Sequence, residues 1–211
     1  MNVQARTNTP CRDGGPRLLL VAGSQRAESL NARLLDNIAR RLSRHCDIDL
    51  LLPSQVDLPL FNQDLETHPD VLARVASVHG RFSASHGLIV ATPEYNGQLP
   101  PYLKNVIDWV SRLPYIDPNQ ANPFIDRPVL LCSVSTGWSG GSLAIPHARA
   151  LFGYVGGVVI GDTICVPQAS QVWTGDGYAF GSVFDAQIDA ALARVARLAS
   201  EFANALEATL S

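Results

Sequence analysis

Small polar side chains and one cation collect near the N-terminus, in the segment GSQRAESLN. It follows an apolar run, 17–23, that predicts a buried strand, and it leads into helical spacing over 31–44. The first N–H groups of a helix lack partners and carry partial positive charge, and nearby hydroxyl, amide and guanidinium groups add donors. We therefore expect a site for a phosphate monoester, formed by Ser24, Arg26, Ser29 and Asn31.

Two other phosphate-binding patterns are absent from the sequence. Neither G-x-G-x-x-G nor G-x-x-x-x-G-K-[ST] occurs, which excludes a Rossmann dinucleotide loop and a P-loop. A simpler alternative for the first segment is that Ser29 or Asn31 only caps the helix. Glu28 is unfavourable beside a phosphate, and we expect its side chain to point outward.

A second candidate segment reads ATPEYNGQLPPYLKNVIDW. Pro93 and Pro100 stiffen its opening, Gly97 permits a positive φ, and Asn96 tolerates one. A rigid loop with exposed backbone N–H groups suits the edge of a planar heterocycle, with Tyr95 as a wall of the pocket. The alternative is an ordinary Asn-Gly turn.

A third segment, GWSGG at 137–141, fits the G-x-S-x-G pattern of a nucleophile elbow. A serine hydrolase with Ser139 as nucleophile is therefore an alternative. The only histidine after Ser139 is His147, and no Asp or Glu lies between them, although that fold places its acid before its histidine. The pattern is better explained by a Gly-rich turn beside a bound ligand.

Strands and helices alternate five times along the chain. Near-continuous apolar runs predict strands of a parallel sheet covered on both faces, in the flavodoxin-like order 2-1-3-4-5. The predicted strands are 17–23, 47–52, 87–92, 128–134 and 158–166, and the predicted helices are 31–44, 69–83, 100–113, 141–153 and 182–210.

In such sheets, ligands bind outside the carboxyl ends of the strands where the strand order reverses. Three segments should therefore meet at one edge of the sheet. We name them the first loop (GSQRAESLN, 23–31), the third loop (TPEYNGQLP, 92–100) and the fourth loop (SVSTGWSGG, 133–141).

Bulk properties exclude several classes of function. A net charge of -3 and a pI near 5.9 argue against a nucleic-acid partner, and no apolar run approaches membrane-spanning length. The four cysteines stand far apart and the five histidines are scattered, which predicts neither a disulfide framework nor a metal site and suits a reducing cytoplasm. The cysteines are Cys11, Cys46, Cys132 and Cys165.

The chain divides into two unequal parts by composition. Residues 1–16 are polar and aperiodic, without the apolar core of a signal peptide, and we expect a disordered extension there. Residues 17–211 carry the strand and helix pattern and should form one flavodoxin-like domain.

The motifs GSQRAESLN and PEYNGQLPPYLKNVIDWVSR resemble the two signatures of the NADPH-dependent FMN reductase family, which includes quinone, azo-dye and chromate reductases of flavodoxin-like fold. The similarity covers roughly residues 17–166. Gln98 departs from the small hydroxyl residue common after Asn-Gly in this family. The resemblance implies an FMN-binding site with three groups of residues: Ser24, Arg26, Ser29, Leu30 and Asn31 at the phosphate; Pro93, Glu94, Tyr95, Asn96 and Gly97 at the isoalloxazine ring; Ser135, Thr136 and Gly137 at its pyrimidine side.

The resemblance also implies an activity. We expect an FMN-dependent oxidoreductase that takes hydride from NADPH or NADH and passes electrons to a quinone, an azo compound or a similar small acceptor. Because the cofactor carries this chemistry, no residue is assigned as catalytic, and Glu94 should contribute its backbone. The alternatives are a flavodoxin-like electron carrier and a flavin-binding regulatory protein without turnover.

The helix after the third loop carries information about assembly. Leu103, Ile107 and Val110 form one apolar face, and a second face contains Tyr102, Val106, Trp109 and Leu113. A helix that is apolar on two sides is buried on two sides. The second face therefore predicts a subunit contact, in a homodimer or a dimer of dimers.

Overall fold

The computed structural model describes residues 8–9, 15–174 and 177–210. Five parallel strands form the centre of the sheet in the order β3-β2-β4-β5-β6, which confirms the flavodoxin-like order 2-1-3-4-5. A sixth strand, β1, pairs antiparallel with β3 at the sheet edge. The strands are β1 Asn8–Thr9, β2 Arg17–Ala22, β3 Asp47–Leu51, β4 Gly87–Ala91, β5 Pro128–Val134 and β6 Val158–Val166.

The strands at the centre of the sheet are mostly apolar because both faces of the sheet are covered. Every residue of β4 and β5 is buried. Burying one Leu, Ile or Val side chain contributes about 1.5–3 kcal/mol, so these strands form the centre of the core. The helices that cover them are α1 Leu30–Leu42, α2 Pro69–Ser83, α3 Pro101–Ile116, α4 Ala144–Tyr154, α5 Ala169–Val172 and α6 Ser182–Leu210.

The helices divide between the two faces of the sheet. Apolar residues of α1 and α6, such as Leu35 and Leu192, pack on one face, and those of α2, α3 and α4, such as Phe82, Ile107 and Phe152, pack on the other. All five predicted helices are present, with shifts of one to three residues at several ends. The four-residue helix α5 and the two 3-10 turns at Pro53–Gln55 and Gln63–Thr67 have no counterpart in the sequence-based prediction.

The second apolar face of α3 is covered by the chain itself. Trp109 and Leu113 are buried against Val71 and Val75 of α2, and the Trp109 indole N–H donates to the carbonyl of Pro59 at 2.8 Å. The argument from this face to a subunit contact is therefore wrong, because α2 and the segment before it take the place that a partner was expected to fill.

Part of the predicted N-terminal extension lies in the sheet. Asn8 and Thr9 form β1, opposite Asp49 and Ile48. The prediction of disorder for residues 1–16 otherwise concerns positions that lie mainly outside the described residues. Among the helices that the structure describes, none is both long and apolar enough to cross a membrane.

The parallel register brings the three candidate loops to one edge of the sheet. Ala22 lies opposite Ala91, and Ala91 lies opposite Cys132, so β2, β4 and β5 end level with one another. The first residues of two of the loops continue the ladder, because Gly23 N–H donates to Ala91 O and Thr92 N–H donates to Cys132 O, both at 2.9 Å.

Candidate functional site

The first loop leads directly into α1, and its polar residues divide into two roles. Ser29 is the N-cap, whose hydroxyl accepts a hydrogen bond from Ala32 N–H at 3.1 Å. The side-chain amide of Asn31 is buried and bonds both backbone groups of Val134, at 3.1 and 3.3 Å. These two side chains therefore fix the helix start against β5, and the backbone N–H groups of Leu30 and Asn31 remain as the donors that a helix N-terminus offers to an anion.

Charge in the first loop is arranged for an anion. Glu28 points outward, as expected, and forms an ion pair with Arg33 one turn into α1. The guanidinium of Arg26 forms no hydrogen bond or ion pair within the described part of the chain, and the side chain is exposed. The Arg26 backbone N–H lies 3.5 Å from the hydroxyl of Ser24, which is buried beneath it.

The third loop forms a tight hairpin. Tyr95 and Gln98 exchange two backbone hydrogen bonds of 3.0 Å, and both residues between them have positive φ, 53° at Asn96 and 73° at Gly97. This is the two-residue turn that an Asn-Gly pair favours. The N–H groups of Asn96 and Gly97 have no partner among the described residues, so the tip presents two free donors.

One cleft joins the first and third loops. Its volume is about 300 Å³, and Arg26 lines it together with Tyr95, which is 42% exposed. These two are the predicted site residues that line the cleft, Arg26 from the phosphate group and Tyr95 from the ring group. The other lining residues are Gly23, Gln25, Pro100, Pro101 and Tyr102.

The sequence-based prediction included none of those five other lining residues as ligand contacts. Gln25 stands inside the first loop, next to residues that were chosen for their chemistry, and Tyr102 stands in the first turn of α3, where we assigned it only to an apolar helix face. An amphipathic tyrosine at the start of a helix that follows a ligand loop was the available signal. Burial raises the pKa of Tyr102 well above its usual value, so its hydroxyl stays protonated at neutral pH.

Two hydrogen bonds tie the third loop to the fourth loop and to the residues just after it. The Glu94 carboxylate accepts a hydrogen bond from Leu143 N–H at 3.0 Å, and the Ser133 hydroxyl donates to Thr92 O at 2.7 Å. Gly141 has φ 80°, and a Cβ at this position would overlap the Ser133 hydroxyl oxygen. The absence of a side chain at Gly141 thus lets the end of the fourth loop pack closely against Ser133 at its start.

The remaining predicted residues of the fourth loop lie at the carboxyl edge of the sheet, just after β5. Thr136 and Gly137 are exposed, and the Ser135 hydroxyl lies 3.4 Å from Gly137 O. Pro93, at the start of the third loop, is half-buried, and the Thr92 hydroxyl donates to its carbonyl at 3.0 Å.

The geometry favours the Gly-rich turn over the nucleophile elbow. The Ser139 hydroxyl accepts from Gly141 N–H at 3.2 Å, and Nε2 of His147 lies 3.0 Å from the side-chain nitrogen of Gln98. Ser139 and His147 therefore contact different partners.

The donor set of the cleft fits a flavin mononucleotide. A dianionic phosphate requires positive charge and N–H donors, which Arg26 and the start of α1 supply. A flat ring with polar edges requires fixed backbone donors beside an aromatic side chain, which the tip of the hairpin and Tyr95 supply. The doubly wound fold, with its cleft at the carboxyl ends of the strands, defines a flavodoxin-like protein.

Comparison with known proteins gives the family. A sequence profile of the NADPH-dependent FMN reductases matches residues 16–171. A quinone reductase of Escherichia coli K12 is 29% identical over 144 residues, 68% of this chain and 73% of that protein. An NAD(P)H-dependent FMN reductase of Pseudomonas aeruginosa is 31% identical over 135 residues, 63% of this chain and 67% of that protein.

A solved structure agrees in fold. FerB, a flavoenzyme NAD(P)H:(acceptor) oxidoreductase from Paracoccus denitrificans, superimposes with a TM-score of 0.75 at 24% identity, covering 89% of this chain and 98% of its own. This chain belongs to the NADPH-dependent FMN reductase family. It is an oxidoreductase that uses FMN and NAD(P)H, as the two loop signatures predicted.

Proposed function

We propose that the cleft between the first and third loops binds FMN and that electrons pass there from NAD(P)H to a quinone. The observation that carries the proposal is that Tyr95 and Arg26, whose guanidinium has no partner among the described residues, line one cleft of about 300 Å³. The acceptor class is taken from the similarity to the Escherichia coli quinone reductase. Bound FMN supplies the hydride and electron chemistry.

The residues divide into three tasks in this proposal. Arg26 and the N–H groups of Leu30 and Asn31 hold the phosphate, while Ser24 and Ser29 shape the loop around it. The N–H groups of Asn96 and Gly97 face the ring edge, and because they are fixed in a tight turn they stabilise negative charge on it without reorganisation. Tyr95 forms one wall of the cleft, and Pro93 stiffens the chain where it leaves β4.

The fourth loop has a supporting task. Glu94 is a positioning residue that holds the hairpin through Leu143, and Ser135, Thr136 and Gly137 lie where the pyrimidine side of the ring reaches the fourth loop. No side chain in this arrangement is required to donate a proton, which agrees with chemistry carried by the cofactor.

Rapid reduction kinetics test this function. FMN-loaded protein mixed with NADPH alone should lose its yellow absorbance within a catalytic cycle, and a quinone should restore it. Reduction that requires a partner protein would favour an electron carrier, and reduction without consumption of quinone in the steady state would favour a regulatory flavoprotein. Protein that stays colourless with added FMN would contradict the whole proposal.

We propose that the protein is a homodimer or a dimer of dimers, which acts in the cytoplasm. Trp138 and Leu143, five residues apart before α4, are 83 and 54% exposed, and large apolar groups exposed at neighbouring positions favour a protein contact. Cys132 and Cys165 are free thiols, which suits a reducing compartment. Light scattering on the eluting protein tests the assembly, and a monomer at all concentrations would contradict it.

A further inference from the structure

A second cavity, outside the cleft between the first and third loops, lies beside the end of β6. Its volume is about 420 Å³, and it lies between the strand end, α5 and the start of α6. We name it the side cavity. The lining residues that matter below are Val166, Val172, Phe180, Phe184, Gln168 and Gln171.

The lining of the side cavity indicates what it accepts. None of the nine lining residues carries a charge, so the cavity offers no compensating charge to a phosphate or a carboxylate. Phe180 and Phe184 meet edge to face with their centroids 5.2 Å apart, which presents aromatic surfaces to a ring. A cavity of this size, mostly apolar with a few polar groups, is typical of a small-molecule site.

Two amides at the rim give the cavity its polar specificity. The side chains of Gln168 and Gln171 are exposed and form no hydrogen bond within the part of the chain that the structure describes. Their NH₂ groups can donate to a carbonyl oxygen of a ligand whose ring lies against the phenylalanines. The absence of charge, the aromatic surfaces and the amide donors thus indicate one class of ligand, an uncharged aromatic compound with a ring carbonyl.

The wall of the side cavity is also hydrogen-bonded to the fourth loop. Ser135 N–H donates to Val166 O at 3.1 Å, Gln168 N–H donates to Gly137 O at 2.9 Å, and Ala169 N–H donates to Ser135 O at 3.0 Å. Gln168 is held in the left-handed region at φ 47°, a conformation that is unfavourable for a residue other than glycine. A ligand that moves residues 166–169 therefore moves the loop assigned to the pyrimidine side of FMN.

The cavity reaches the first loop as well. Tyr178, stacked on Phe180 at 5.5 Å, donates its hydroxyl hydrogen to Leu30 O at 3.1 Å. Burial raises the pKa of Tyr178 to about 12, so this donor persists at neutral pH. The walls of the side cavity are thus linked to both ends of the proposed FMN site.

The geometry points to a regulatory site: the side cavity binds an uncharged aromatic ring ketone or quinone-type compound, and its occupancy changes the affinity for FMN. Ligand binding at the side cavity goes beyond the proposed function. Only the effect of that binding on FMN affinity rests on the proposed function. Because coupling is reciprocal, we expect FMN affinity to change by about fivefold when the side cavity is filled.

The test uses 1-tetralone, a redox-inert bicyclic ketone, and ¹⁵N-labelled protein with and without saturating FMN. We expect saturable shifts of the amide signals of Gln168, Gln171 and Gly181 in both states, with a Kd of about 1 mM or tighter. Gln171→Glu places a charge at the rim without loss of packing, and should weaken tetralone binding at least about tenfold. Ser170→Glu, which adds the same charge one residue away and off the lining, should leave it within about twofold.

Several results would overturn the inference. Tetralone that shifts Tyr95 and Tyr102 instead, and is displaced by FMN, occupies only the cleft between the first and third loops. The inference is also contradicted if the Gln171→Glu and Ser170→Glu variants bind tetralone with equal affinity. It is contradicted as well if tetralone leaves the affinity for FMN unchanged. Shifts of the same amides on raising the protein concentration alone would assign the cavity to a second copy of the chain. A protein that fails to bind FMN is recognised separately, from the FMN titration without tetralone.

Discussion

The carboxylate of Glu94 accepts a hydrogen bond from the backbone N–H of Leu143 at 3.0 Å, and this contact joins the third loop to the start of α4. The two ends of the bond belong to segments 49 residues apart in the chain. A glutamate in a ligand loop invites a role as a proton donor. Here its carboxylate is engaged in holding the hairpin against its neighbour.

Removing this carboxylate should weaken FMN binding through the hairpin. We expect Glu94→Ala to raise the Kd for FMN roughly tenfold, because a charge-assisted hydrogen bond contributes about 1.5–3 kcal/mol and part of that loss reaches the ligand. Glu94→Gln keeps an acceptor and should stay within about threefold. Quenching of FMN fluorescence gives both values.

The control for this pair is Glu201→Ala, which removes an exposed carboxylate of α6. It should leave the Kd for FMN unchanged. If Glu94→Ala binds FMN as tightly as this control, the carboxylate does not position the hairpin.

Gly141 should tolerate no side chain. Its φ of 80° and the overlap of a Cβ with the Ser133 hydroxyl predict that Gly141→Ala lowers the free energy of unfolding by about 2–4 kcal/mol. Ser133→Ala removes the hydroxyl oxygen that a Cβ at Gly141 would meet. The double variant should therefore lose less free energy of unfolding than the losses of the two single variants added together. Urea unfolding measures each value.

Gly153 is the matched control, since a Cβ there would meet nothing within 4 Å. Gly153→Ala lies within α4 and should leave stability unchanged or raise it by up to about 1 kcal/mol. Equal effects at the two glycines would contradict the close approach of Gly141 to Ser133 within the fourth loop.

Two histidines make stability depend on pH. Burial lowers the pKa of His79, and burial followed by the charge of Arg127 lowers the pKa of His86. Nδ1 of His86 accepts a hydrogen bond from Arg17 N–H at 3.0 Å, so that nitrogen is unprotonated in the folded protein. As the pH falls below about 6.5, the unfolded chain binds more protons than the folded one, and stability decreases until the folded pKa values are passed.

The variant that tests this is His86→Asn, whose side-chain oxygen keeps the acceptor but does not titrate. The free energy of unfolding should decrease less between pH 7.5 and 5.5 in this variant than in the wild type. His68, which is exposed, gives the control as His68→Asn. A pH dependence that His86→Asn leaves unaltered would show that His86 does not titrate on unfolding.

The sheet and the turn were predictable because they depend on local pattern. The apolar runs fixed the strands β5 and β6 at their observed bounds, and Asn96-Gly97 supplied the positive φ values that a tight hairpin requires. The meeting of the three loops followed from parallel strands in one order. Arg26 and Tyr95 were placed at the cleft by this reasoning alone.

The features that the sequence did not predict depend on contacts between residues far apart in the chain. The amide of Asn31 bonds Val134, 103 residues later, and a sequence gives no sign of that pairing. The second apolar face of α3 is equally consistent with a partner subunit and with α2, and Trp109 is buried by the latter. The side cavity combines β6 with an irregular segment, in which no periodicity marks Gln168 or Phe180 as neighbours.

The most direct test of the central claim compares FMN with riboflavin, which lacks the phosphate. If Arg26 binds that phosphate, Arg26→Ala should weaken FMN binding roughly tenfold or more and leave riboflavin binding within about twofold, while Arg197→Ala on the exposed face of α6 changes neither. The same loss for both ligands, or for neither, would contradict a phosphate site at Arg26.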